Sequence, residues 1–232
     1  MPEIRVTDDP AAEAAEILAE AVRARGHIAL AGGSTPRAAY RRVAEMPDLD
    51  WPAATLWFGD ERCVPDDDEL SNYRMVREAL LDRLGGEGPA VRRIPAERGP
   101  SVAADDYERE LRETLGEELP RLDLVLLGIG PDAHTASLFP NQPSLRVADR
   151  LAVGVEEAGL EPLVPRVTLT LPVINAARRV VFLVAGEDKS DAVRRAFGGE
   201  RTADAPASLV SPAGELELLL DPGAASRLPG AA

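Results

Sequence analysis

The chain has 232 residues, 45% of them apolar, a formal net charge of −14 and a single cysteine, Cys63. That apolar fraction supplies a sizeable core, and with no Gly/Ser-rich or Pro-rich linker dividing the chain one domain over residues 1–232 is expected. The acidic balance disfavours nucleic acid and anionic membranes as partners, and one cysteine excludes an internal disulfide or a cysteine-based metal cluster.

No run approaches the roughly 18 uninterrupted apolar residues of a membrane helix. Pro2, Glu3 and Arg5 interrupt any apolar leader core, so a cytoplasmic location is expected. Arginine supplies all the basic charge except Lys189.

Taken in order, Ile4–Val6 reads as a short strand. Asp8, Asp9 and Pro10 open a helix with Ala14, Leu18, Ala21 and Val22 on one face, stopped by Gly26. Ile28–Ala31 is a strand, followed directly by Gly32-Gly33-Ser34-Thr35-Pro36. Two glycines allow a tight turn and close approach of a ligand, and Thr35 with Pro36 is expected to cap the next helix. Free amides at a helix start attract anions. No lysine completes a GxxxxGK[ST] phosphate loop, and there is no GxGxxG signature, so ATP and NAD have no support here.

Thr55–Phe58 is the next apolar strand, and Gly59-Asp60-Glu61-Arg62 reads as the start of a long polar connection. Arg62 suits a bidentate clamp on phosphate or carboxylate. Asp60 and Glu61 stand near no histidine and give weak evidence for a metal. Ser71 or Asn72 caps a helix carrying Met75, Val76, Ala79, Leu80 and Leu84. Arg92–Ile94 is a candidate short strand, and Asp105–Leu119 reads as a helix in which Tyr107, Leu111 and Leu115 pack.

Leu124–Leu127 is a solid apolar run, as expected of a buried strand, ended by Gly128, Gly130 and Pro131. Asp132 and His134 follow in the loop. A carboxylate and an imidazole two residues apart supply proton-transfer chemistry, in the region where open α/β sheets bind ligands. Leu151–Val155, Pro165–Thr170, Arg179–Ala185 and Glu215–Leu220 read as further strands. Gly186-Glu187-Asp188-Lys189 opens a helix; Lys189 in its first turn either faces a ligand anion or is solvated. Pro222 onward reads as a loosely packed tail. The alternation of strands and helices indicates an α/β protein with a mostly parallel sheet.

Four blocks together resemble the 6-phosphogluconolactonase family: Leu30–Pro36; Trp57–Arg62 with Ser71-Asn72-Tyr73; Leu127–Pro140; and Pro165–Thr170 with Gly186–Lys189. The resemblance implies a modified Rossmann-type sheet flanked by helices, sugar-phosphate isomerase-like, shared with glucosamine-6-phosphate deaminases. It implies hydrolysis of 6-phospho-D-glucono-1,5-lactone in the oxidative branch of the pentose phosphate route. His134 is then the general base and Asp132 its orienting partner. Gly32, Gly33, Ser34, Thr35, Arg62, Arg166 and Lys189 would bind substrate and its phosphate, and Asp60, Glu61, Ser71 and Asn72 would shape the site. No metal or organic cofactor is implied. The partner is a small sugar phosphate, and a monomer is the default.

The alternatives are a deaminase or isomerase of the same fold, or a sugar-phosphate sensor without turnover. Deaminases usually carry glutamate at the position of Phe139. The lactonase pattern usually has glycine at the position of Ala133, where a positive φ would strain alanine by roughly 1–2 kcal/mol.

Overall fold

The computed structural model describes residues 2–116 and 118–229. In chain order the regular elements are β1 (Glu3–Val6), α1 (Pro10–Arg23), β2 (His27–Leu30), α2 (Ser34–Ala44), β3 (Thr55–Phe58), β4 (Asp60–Arg62), α3 (Asn72–Ala79), β5 (Ala90–Val91), α4 (Pro100–Leu115), β6 (Leu124–Leu127), β7 (Ala152–Val155), β8 (Arg166–Leu169), α5 (Leu171–Ala176), β9 (Arg179–Val184), α6 (Ser190–Phe197), β10 (Glu215–Leu220) and α7 (Pro222–Ala225).

Seven strands form a parallel sheet in the order β1-β10-β9-β6-β2-β3-β5, the Rossmann-like architecture expected. Strands β2, β3, β6 and β9 are almost wholly buried, which is why their sequences read as apolar runs rather than alternating ones. From β2 the chain builds outward through β3 to β5. It then returns to the other side of β2 and builds through β6 and β9 to β10. The direction of winding therefore reverses between β2 and β6, whose residues Ile28 and Ala29 pair with Leu124 and Val125. In a doubly wound sheet that reversal leaves a crevice beyond the carboxyl ends of the two strands.

A second sheet, β4-β8-β7, is antiparallel. It is the main departure from the sequence expectation, which read Asp60–Arg62 as loop. Three charged residues carry no apolar alternation, so only pairing with β8 makes them a strand. Gly59 joins the two sheets: its N–H donates to Leu30 O at 2.9 Å, and its carbonyl accepts from the Leu169 N–H at 2.8 Å.

Two buried tyrosines fix the strand ends next to the crevice. The Tyr40 hydroxyl, from α2, donates to Ala31 O (2.8 Å) and accepts from the Ala31 N–H (2.9 Å). The Tyr107 hydroxyl, from α4, makes the same pair of bonds with Phe58, both at 2.9 Å. Each clamps the peptide just before a turn, Gly32 in one case and Gly59 in the other. Packing was the expectation for Tyr107; the double hydrogen bond adds to it.

Other boundaries differ locally. Helix α4 begins at Pro100 rather than Asp105, with Gly99 as its N-cap. The β5 pair lies at Ala90–Val91 rather than Arg92–Ile94. Residues 222–229 are packed, not loose, and the rest of the expected tail lies outside the described residues: Asp221 caps α7 through the Ala224 N–H, and Ala224, Ala225 and Leu228 are buried.

Candidate active site

The crevice is a cleft of about 260 Å3. Its walls come from the turns after four strands of the large sheet and from the first residues of the second sheet. Gly32 and Gly33 follow β2, Gly59, Asp60 and Arg62 follow β3, Gly128–Pro131 and His134 follow β6, Lys189 follows β9, and Arg166 opens β8.

Gly33 (φ 109°) is the N-cap of α2, and no side chain bonds the first-turn amides. Thr35 is therefore not the cap expected from sequence; the helix already starts at Ser34. The uncapped turn continues into a smaller hollow of about 140 Å3 lined by Gly32–Pro36, Gly128 and Lys189. Gly32 has a second reason to be glycine: a Cβ there would lie 2.2 Å from Asn72 Oδ1.

The imidazole of His134 reaches the cleft with Asp132 behind it. Nδ1 of His134 and Oδ1 of Asp132 are 2.5 Å apart, and the same carboxylate oxygen accepts the His134 backbone N–H at 3.1 Å. Burial opposes ionisation of Asp132, but these bonds and the charge of His134 outweigh it and hold its pKa below the ordinary value. With Nδ1–H donated to Asp132, Nε2 is left as the acceptor. Gly130 makes room for the ring, since a Cβ there would lie 2.0 Å from His134 Cε1. Ala133, between the two, has φ 66°, and its side chain is buried in the main core. The positive φ that strains alanine is thus present, and the loop holds it with Ala133 N–H to Gly130 O (2.9 Å) and Ala207 N–H to Ala133 O (3.0 Å).

Asp60 is buried and fixed from two sides, by Ser137 Oγ–H (2.6 Å) and by Asn72 Nδ2 (3.1 Å). Glu61 points away from the cleft. Its carboxylate accepts the backbone N–H groups of Arg62 (2.7 Å), Asn72 (2.8 Å) and Tyr73 (2.7 Å) and the Ser71 hydroxyl (3.2 Å). It thereby anchors the start of α3, where Ser71 is the N-cap. Burial nevertheless raises its pKa, against those bonds.

Arg62 and Arg166 are direct cross-strand partners on β4 and β8. Like charges in that relation oppose pairing. Burial and the charge of Arg62 both push the Arg166 pKa down. Each has a buried Nε without a hydrogen-bond partner among the described residues. Arg62 Nη1 donates to Leu70 O (2.7 Å), and Arg166 Nη2 to Pro162 O (3.0 Å). Lys189 stands across the cleft, its nearest carboxylate Asp188 at 3.9 Å. Three cations thus face one opening, with Asp60 and Glu161 as its acidic members.

Two contributors escaped the sequence reading, and a third, Phe139, was noted there only for standing where deaminases carry glutamate. Ser137 orients Asp60. Gly130 admits the imidazole. The Phe139 ring lies between His134 (centroids 4.7 Å apart) and the Arg166 guanidinium (5.5 Å from the centroid), and so packs on both. All three belong to the Leu127–Pro140 block, but only folding reveals what they touch. Cys63 is half-buried, and burial with nearby carboxylates pushes its thiol up to about 11, which leaves it protonated and unreactive at neutral pH.

Among the described residues no group of three or more His, Cys, Asp or Glu is placed to hold a metal, and no helix is long and apolar enough to cross a membrane.

Residues 4–219 match the family model described as glucosamine-6-phosphate isomerases/6-phosphogluconolactonase. A 6-phosphogluconolactonase of Synechocystis sp. is 42% identical over 213 residues, covering 90% of this chain and 87% of that one. The crystal structure of 6-phosphogluconolactonase from Leishmania guyanensis superposes with a TM-score of 0.85 at 30% identity, covering 100% of this chain and 99% of that one. A monomeric glucosamine-6-phosphate deaminase shares the fold, with a TM-score of 0.83 at 21% identity over 98% of this chain and 100% of that one.

Proposed function

The chain belongs to the glucosamine-6-phosphate isomerase/6-phosphogluconolactonase family, and from that premise we propose that it hydrolyses 6-phospho-D-glucono-1,5-lactone to 6-phospho-D-gluconate. The observation that carries the reading is one cleft that sets an Asp132-oriented His134 opposite Arg62, Arg166 and Lys189. A base and a cluster of cations are what a phosphorylated ester requires of its hydrolase.

In this mechanism Nε2 of His134 takes a proton from water as the oxygen attacks the lactone carbonyl. The carbonyl becomes a tetrahedral oxyanion, stabilised by the cations of the cleft. Its collapse breaks the bond to the ring oxygen. The imidazolium returns its proton to that oxygen, leaving a hydroxyl and a carboxylic acid that ionises. Asp132 keeps the imidazole in one tautomer and stabilises its protonated form. Arg62, Arg166, Lys189 and the uncapped turn Gly32–Thr35 hold the phosphate and lactone oxygens. Asp60, fixed by Ser137 and Asn72, meets the sugar hydroxyls, while Glu61 and Ser71 support α3 behind them.

Phe139 separates this reading from deamination. The position at which deaminases usually carry a glutamate for ring opening holds an apolar ring, packed on His134 and buried with Val155 and Ala158. We further propose that the chain works as one catalytic domain, in the cytoplasm and as a monomer.

The test is lactone hydrolysis with substrate generated in place, its product read through a coupled 6-phosphogluconate dehydrogenase after subtraction of spontaneous hydrolysis. Wild type is expected far above background, and His134→Ala is expected to lose about 10²-fold or more of kcat. A folded wild type at background rate would refute the reading.

A further inference from the structure

A second cavity, of about 450 Å3, adjoins the catalytic cleft and shares Gly33, Arg62 and Asn72 with it. Its other cations are Arg37 and Arg41, both on α2. Four residues apart, they share one helix face, where like charges oppose each other. Arg37 also lies near the positive end of the α2 dipole.

The protein does little to neutralise them. Arg37 approaches Glu78 only at 3.7 Å, and the other oxygen of Glu78 is held by Arg74 at 2.8 Å. The Nε of Arg37 is buried without a hydrogen-bond partner among the described residues. Among the same residues no carboxylate pairs with Arg41. Glu69 is the one acidic residue of the wall. A chain of net charge −14 thus gathers three arginines at one opening beside its cleft.

We propose that this cavity is an entry subsite for phosphomonoester dianions, which passes substrate to the cleft along Arg62. The identity of the anion rests on the lactonase reading; the existence of the subsite does not. At a distance the net charge repels a dianion. Within about 8 Å, the Debye length at physiological ionic strength, local cations set the potential instead. Such focusing raises association rates by about 10- to 10³-fold and fades with salt. Arg62 borders both cavities, so a phosphate crossing from one to the other stays in contact with a cation. Arg37 and Arg41 touch no reacting atom; they act on the capture and binding of the anion and not on the chemical step.

The test compares wild type with Arg37→Gln/Arg41→Gln and with Arg41→Glu from low ionic strength to about 0.5 M salt, where screening is nearly complete. Arg109→Gln/Arg227→Gln, which removes the same charge elsewhere, is the control. At low salt kcat/KM of the Arg37→Gln/Arg41→Gln variant should fall about three- to tenfold with kcat unchanged, and the gap should close at high salt. Arg41→Glu should fall further. A profile that superimposes on wild type or on the control overturns the subsite. Calorimetric binding of 6-phosphogluconate at the same salt concentrations reads the difference without turnover. A wild type that binds but does not hydrolyse would refute the lactonase reading, while weaker low-salt binding by Arg37→Gln/Arg41→Gln than by the control would uphold the subsite.

Discussion

Ala133 holds a left-handed backbone, φ 66°, at a place where glycine would be free of strain. The strain, roughly 1–2 kcal/mol, is offset in part by burial of its methyl, about 0.8 kcal/mol. The methyl packs in the core and does not line the cleft. Ala133→Gly should therefore melt within about 4 °C of wild type, with turnover within about twofold. A large gain in turnover would instead show that the methyl obstructs substrate. Asp132, one residue earlier, makes a sharper prediction. Its folded pKa is depressed, so its ionised form stabilises the fold above the ordinary carboxylate value, and that contribution is lost as pH falls through the depressed value. Asp132→Asn should melt below wild type at pH 7, and the gap should narrow below about pH 4. Its kcat should fall by on the order of 10²-fold or more, because an amide does not hold the imidazole in one tautomer. Equal melting points across that range would remove Asp132 from the role given to it.

At the level of elements, the pairing of β4 with β8 sets Arg62 opposite Arg166. The strands meet despite this repulsion, and an anion bound between them, as the proposed function requires, would relieve it. Arg166→Met is accordingly expected to raise KM at least about tenfold without lowering the melting temperature of the free protein, since an unpaired buried charge gives way to an apolar side chain. Thermal titration checks both: the melting-point rise that 6-phosphogluconate gives wild type should vanish in the variant. A variant that melts far lower would show that Arg166 holds the fold. None of this pairing was legible in the sequence. Asp60–Arg62 has the composition of a surface loop, and strand identity came from a partner more than 100 residues away. The buried parallel strands were legible, because burial on both faces leaves a solid apolar run, as in Leu124–Leu127 and Arg179–Val184. The start of α4 was missed because Gly99-Pro100 reads as a break, whereas Pro fits the first helical position. In the site, His134, Asp132 and the Gly32–Thr35 turn stood out because their residue types carry chemistry. Ser137 did not, because what matters is its contact with Asp60, and Phe139 stood out only for the glutamate it replaces, not for its packing on His134 and Arg166.

For the whole molecule, the winding of the sheet reverses between β2 and β6, and Asp60, Arg62 and Arg166 of the second sheet line the cleft at that reversal. The residues assigned to catalysis come from both sheets and need only side chains and water in the mechanism above. Hydrolysis is therefore expected to be unchanged after EDTA treatment and desalting, and a loss restored by a divalent ion would contradict that mechanism. The hydroxyl clamps of Tyr40 and Tyr107 reach further than the packing they complete. The amides of Ala31 and Phe58 sit at strand ends, where fraying would ordinarily let solvent deuterium in quickly, yet each donates to a buried phenol. Their exchange should be as slow as that of the central strands and should quicken only when the whole domain opens. The rim of the cleft then belongs to the same cooperative unit as the core, so ligand finds it already built.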